Sequence, residues 1–149
     1  MLGMAVTVLY RLEGAPNVVG LTNLFDDVVS DEWYTDAVIW AEKNGIITGY
    51  GNGKFGPNDN ITREQLATIL YRFEQFTAKI PMDIVMDKEF SDWNEISDYA
   101  KNPVNILVMQ GIINGKLNNL FDPKGEATRA EFAAMLHRFM LAIVLSITE

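Results

Sequence analysis

Two arginines stand at positions where a helix start normally prefers an acid. Thr62-Arg63-Glu64-Gln65 and Thr128-Arg129-Ala130-Glu131 both fit a capping box, with Thr as N-cap and Gln or Glu three residues on. Arg63 and Arg129 therefore fall on the first helical residue, where the macrodipole disfavours an exposed cation by about 0.3–1 kcal/mol. A guanidinium beside free helix N–H groups can converge with them on the same oxygens, and a carboxylate or phosphate fits such a site. The competing assignment pairs each arginine with a nearby carboxylate, such as Asp59 or Glu126, to fix a loop. The residues weigh the two alike, because duplication copies structural and functional features equally.

Other chemistry is sparse. His137 is the only histidine and lies on an apolar-striped helix, as a surface or half-buried residue would. Asp26-Asp27, Asp31 and Asp36 read as solvated or capping acids. The loop 52–60 lacks the alternating acids and closing Glu of a calcium loop. There is no phosphate loop, nucleophile elbow or histidine zinc pair, and nothing singles out an acid pair among 20 Asp and Glu. No catalytic residue, metal ligand or cofactor is expected. A net charge of −8 argues against nucleic acid and against a polybasic membrane surface. The absence of cysteine removes disulfides and thiolate chemistry.

No stretch reaches the roughly 18–20 apolar residues of a membrane span. The tail 139–147 is too short, so it is expected to be a buried helix end. The opening residues read as an amphipathic helix rather than a signal peptide, which places any export signal outside this chain. Of the tryptophans, Trp40 is expected in the core. Trp33 and Trp93 are the candidates for stacking on sugar, against the commoner role of core packing.

The elements that must position these residues come from an internal repeat. Gly45-Ile46-Ile47-Thr48-Gly49 falls on Gly111-Ile112-Ile113-Asn114-Gly115, and Phe55-Gly56-Pro57 on Phe121-Asp122-Pro123. At the same offset Leu70, Arg72 and Phe73 fall on Leu136, Arg138 and Phe139. Upstream, Phe25-Asp26-Asp27 matches Phe90-Ser91-Asp92. Residues 7–12 match 68–73, so the chain opens on the last helix of a third, partial copy. The expected division is one module over 1–149: a partial repeat at 1–20, a full repeat at 21–78, a linker at 79–88 and a full repeat at 89–149.

Each full copy reads as helix, turn-rich loop, helix. The first helices are expected near 33–44, with Trp33, Ala37, Trp40 and Ala41 on one face, and near 102–110, with Asn102 as cap and Pro103 leading. The loop 49–60 is exposed apart from Phe55, a plug into the core. The second helices carry Leu66, Ile69, Leu70 and Phe73, and Phe132, Met135, Leu136 and Phe139. The opening helix offers Ala5, Val8, Leu9 and Leu12. Helices near 4–13, 63–76 and 129–142 are thus expected to pack as a central three-helix bundle in an all-α fold.

The ensemble Phe-x-Asp, aromatic helix, Gly-Ile-Ile-x-Gly, Phe-x-Pro and Thr-Arg-x-x resembles the S-layer homology (SLH) repeat over residues 24–76 and 89–141. The resemblance implies a pseudo-threefold helical arrangement around the central bundle, with loop-helix lobes. It implies an extracellular, non-enzymatic module on the bacterial surface that binds secondary cell-wall polysaccharide in grooves between repeats. The usual ligand group is a pyruvylated sugar, whose ketal carboxylate is an anion. Thr128-Arg129-Ala130-Glu131 matches the family's Thr-Arg-Ala-Glu motif. Thr62-Arg63-Glu64-Gln65 departs at two places and keeps the cap and the arginine. The ligand-binding residues implied are Arg63, Arg129, Thr62, Thr128, Glu64 and Glu131, with Trp33, Gly51 and Lys54 beside them. Leu2 occupies the arginine position of the partial copy, so no site carries over there.

A docking or self-assembly module of a surface protein is the alternative. Arg63 and Arg129 are expected to lie in solvent-reachable grooves. The opening helix lacks the half-repeat that precedes its counterparts, so its apolar face needs a cover. A second chain would supply it in a homodimer; the linker residues 80–86 and the C-terminal tail are the other covers.

Overall fold

In a computed structural model the described residues are 1–77 and 89–148, with the side chains of 145–148 excepted. They form five α-helices and no strand: α1 (Leu2–Leu12), α2 (Thr35–Lys43), α3 (Arg63–Thr77), α4 (Asp98–Met109) and α5 (Arg129–Thr148). The fold is all-α, and the only extended pairings among the described residues are isolated bridges, Thr62 with Glu126 and Lys116 with Leu120. No helix among them is long and apolar enough to cross a membrane.

Both capping boxes form. Thr62 N–H donates to Gln65 Oε1 at 2.9 Å and Gln65 N–H to Thr62 Oγ1 at 3.3 Å. Thr128 N–H donates to Glu131 Oε2 at 2.8 Å and Glu131 N–H to Thr128 Oγ1 at 3.1 Å. The stripe Leu66, Ile69, Leu70 and Phe73 is buried throughout, and Phe73 meets Phe139 of α5 at 5.7 Å between ring centroids. On α1 the buried face is Leu2, Ala5, Val6 and Leu9, while Leu12 is exposed. The face keeps helical spacing but is turned from the expected Ala5, Val8, Leu9 and Leu12.

Two expectations are corrected. α4 starts at Asp98 with Ser97 as N-cap, so Pro103 lies inside the helix rather than leading it. The missing proline donor falls on the second turn, and the ring is buried in the core. Trp33 is not on the buried face of α2: it precedes the helix and is exposed, edge-on to Tyr34. Trp40 is buried as expected, and Trp93 is half-buried.

The chain divides into two compact units, Met1–Asn60 and Ile61–Glu149. The break lies inside the sequence repeat at 21–78, between its loop and its second helix. The first unit joins α1 to α2 and the following loop; the second joins α3 to α4, the following loop and α5. In the first, the opening N–H groups of α1 donate to this loop, Leu2 to Asp59 O and Gly3 to Pro57 O, each at 2.9 Å. In the second, Arg63 N–H donates to Gly125 O at 2.9 Å and Glu64 N–H to Pro123 O at 3.1 Å. The same contact occurs twice: a helix start seated on the loop of the copy after it, its free donors satisfied by two turn carbonyls.

Each loop is closed by its Phe-x-Asp motif. Asp27 accepts from Phe55 N–H and Gly56 N–H at 2.9 and 2.8 Å. Asp92 accepts from Phe121 N–H and Asp122 N–H at 2.9 and 2.7 Å. Asp27 is therefore a loop clamp, not a solvated acid. Phe25 packs on Phe55, and Phe90 on Phe121. The last glycine of Gly-Ile-Ile-x-Gly lies under that ring. A Cβ on Gly49 would stand 2.4 Å from Phe25 Cε1, with φ at +67°, and one on Gly115 would stand 2.6 Å from Phe90 Cε1.

Candidate anion-binding groove

The second unit carries a groove of about 320 Å3 lined by Arg63 from α3, Asn114, Gly115 and Lys116 from the loop, and Glu131 and Arg138 from α5, with Ala130, Ala134 and Met135 completing the wall. Three cations face one carboxylate here, in a chain whose net charge is −8.

Arg63 lies beneath the groove rather than open to solvent, with its side chain 3% exposed. Its Nε donates to Phe121 O at 2.7 Å, Nη1 to Glu131 Oε1 at 2.7 Å, and Nη2 to Asn114 O at 3.2 Å. The guanidinium carbon lies 5.1 Å from the centroid of the Phe121 ring. The partner carboxylate is thus Glu131, not Asp59 or Glu126. Three acceptors and a ring face offset the cost of a cation at a helix start.

Glu131 serves both α5 and the groove. One oxygen accepts from Thr128 N–H, and the other meets Arg63, with Lys116 Nζ at 4.0 Å. Burial pushes its carboxyl upward, but the Thr128 N–H, Arg63 and Lys116 outweigh it and hold it below the ordinary glutamate value. Asp122 is also lowered, chiefly by its hydrogen bond from Lys116.

The remaining candidate residues are distributed more widely. Thr62 and Thr128 cap α3 and α5. Glu64 is buried and ties α3 to the start of α4, accepting from Ser97 N–H and Ser97 Oγ at 2.9 Å each, from Tyr99 OH at 3.2 Å, and from Lys124. Arg129 is exposed at the start of α5, outside the groove lining. Trp33, Gly51 and Lys54 belong to the first unit and are exposed. Sequence reasoning passed over Lys116 and Arg138. The available signal was the spacing of Glu131, Met135 and Arg138, which puts all three on one face of α5.

The S-layer homology domain family matches residues 24–67 and 89–133, the two segments that build these loops and helix starts. The chain belongs to the S-layer homology domain family. Among SLH-bearing relatives, an amylopullulanase of Thermoanaerobacterium thermosulfurigenes is 43% identical over 113 residues, 76% of this chain and 6% of that protein. A surface-layer 125 kDa protein of Lysinibacillus sphaericus is 34% identical over 119 residues, 76% of this chain and 10% of its own length. A cellulosome-anchoring protein of Acetivibrio thermocellus is 28% identical over 114 residues, covering 76% and 25%. The SLH chain therefore spans a small part of each.

Proposed function

We propose that this SLH chain is a non-catalytic anchor, which holds the protein carrying it on the outer surface of a bacterium by binding an anionic, pyruvylated secondary cell-wall polysaccharide. The observation that carries this is the cationic groove built on Arg63 in an otherwise acidic chain. A carboxylate on an uncharged sugar suits it: one negative group for the cations, with the flanking Ala130, Ala134 and Met135 left for the sugar ring. In this reading Arg63 and Glu131, paired with each other, shape the site that receives the acid group. Arg129, outside the groove lining at the start of α5, offers a further exposed cation. The names of two relatives, a surface-layer protein and a cellulosome-anchoring protein, fit a surface location and an anchoring role.

The test is calorimetry with purified wall polymer before and after removal of its pyruvyl groups. The intact polymer is expected to bind at least about tenfold more tightly, one charge-assisted contact being worth about 1.5–3 kcal/mol. Equal affinities would reject recognition of the acid group.

Self-association is the second reading, favoured by Met140 and Leu141, which are exposed along α5. The motive drawn from α1 is weaker, since Leu2, Ala5, Val6 and Leu9 are already buried in the single chain. The linker 80–86, one of the covers considered, lies outside the described residues. Light scattering on the eluting peak gives a mass near 16.8 kDa for the monomer and twice that for the dimer.

A further inference from the structure

We infer that Lys116 and Arg138 grip the acid group directly, and that Arg63 is a positioning residue that holds the groove in shape beneath them. The inference rests on the anionic-polymer reading above and assigns the contacts within it. A guanidinium has five N–H donors. Arg63 commits three of them, to Phe121 O, Glu131 and Asn114 O, and lies against the Phe121 ring. With its side chain 3% exposed, it has little surface left to offer a ligand.

Lys116 and Arg138 are placed differently. The Lys116 side chain is 41% exposed and, among the described residues, hydrogen-bonds Asp122, with Glu131 Oε1 at 4.0 Å. Arg138 is half-buried, and its one bond among the described residues is a 3.5 Å contact from Nη1 to Ile112 O. It reaches the groove from the face of α5 that also carries Glu131 and Met135, while Lys116 reaches it from the loop. A carboxylate between them would take a forked pair of N–H donors from Arg138 and a point charge from Lys116. In the preceding copy the residue matching Lys116 is Tyr50, so this pair of cations is not a general feature of the repeat.

The experiment is calorimetry with purified pyruvylated wall polymer and its depyruvylated form, on the intact chain and on Lys116→Met, Arg138→Met, Lys116→Arg and, as a control on α4, Lys101→Met. Lys116→Met and Arg138→Met are each expected to weaken binding of the pyruvylated polymer at least about tenfold. Their melting temperatures should fall by no more than a few degrees, since Lys116 gives up a half-exposed ion pair with Asp122 and Arg138 one long bond to Ile112 O, and salt dependence of binding should flatten. Lys116→Arg and Lys101→Met should retain affinity. Parent-like binding by both methionine variants, with the intact chain still selecting the pyruvylated polymer, overturns this assignment and leaves the anchoring reading standing. An intact chain that binds neither polymer overturns the anchoring reading as well.

Discussion

Replacing Arg63 by methionine should destabilise the second unit by about 3 kcal/mol, the lower end for removing one partner of a buried ion pair. The loss has three parts. Phe121 O and Asn114 O lose their side-chain donor, and Glu131 loses its nearest cation. Glu131 keeps the Thr128 N–H and the more distant Lys116, which limits the penalty. Urea denaturation followed by circular dichroism measures the change. Arg63→Lys should fall between parent and methionine, since one ammonium cannot serve acceptors spread around a planar fork. A loss below about 1 kcal/mol for Arg63→Met, the range of an exposed pair, would mean that Arg63 does not organise the loop.

Glu74→Gln should have the opposite effect and stabilise the protein at neutral pH, by about 1–3 kcal/mol. Glu74 is 1% exposed on α3, and its Oε1 accepts from Gln110 Nε2 of α4 at 2.6 Å. Its other oxygen, Oε2, and Gln110 Oε1 are both buried acceptors with no donor among the described residues. A proton on Glu74 would give this pair the donor it lacks, and a glutamine amide would supply one at every pH. Burial raises the Glu74 carboxyl, against the lowering from its Gln110 hydrogen bond, and Glu74 in turn contributes to raising Tyr71. The sign follows from linkage. A carboxyl whose folded pKa is raised stabilises the fold below its unfolded value, about 4.3, and this is lost as pH rises through the folded value. Glu131 and Glu64, both lowered, act the other way: they stabilise above the ordinary glutamate value, and this is lost in acid. Subtracting the stability of the parent from that of Glu74→Gln at each pH cancels those shared terms. The difference should grow from near zero in acid to a plateau at neutral pH. A flat difference, or a destabilised variant at pH 7, would reject a raised Glu74.

What was legible in the sequence was local. The capping boxes at Thr62 and Thr128 and the stripe Leu66 to Phe73 involve neighbours three or four residues apart, and they form as spaced. The start of α4 was misplaced because Asn102-Pro103 carries a stronger start signal than Ser97. The serine hydroxyl instead bonds Glu64 on another helix. Arg63 was expected in a solvent-reachable groove and is buried instead, and its partner was missed, because its acceptors Asn114, Phe121 and Glu131 are distant in sequence. The two acids considered for it were Asp59, near in sequence, and Glu126, near the matching helix start. The true partner had already been given another task, as the capping glutamate of α5. Asp27 and Asp92 were hidden for the same reason: each clamps backbone N–H groups far along the chain. Their recurrence in both copies was the available clue.

The seating of α1 and α3 on the loops that follow them gives a tandem array of this kind a direction, and with it preferred points for recombination. A crossover between Asn60 and Ile61 would exchange a helix together with the helix and loop that hold its first N–H groups. A crossover within 78–88, the apparent spacer between repeats, would part α3 from α4 and from the turn carbonyls of Pro123 and Gly125. Chimeras joined at the spacer inherit a helix start and a loop with separate histories, and Arg63 must then find its acceptors on a loop it did not evolve with.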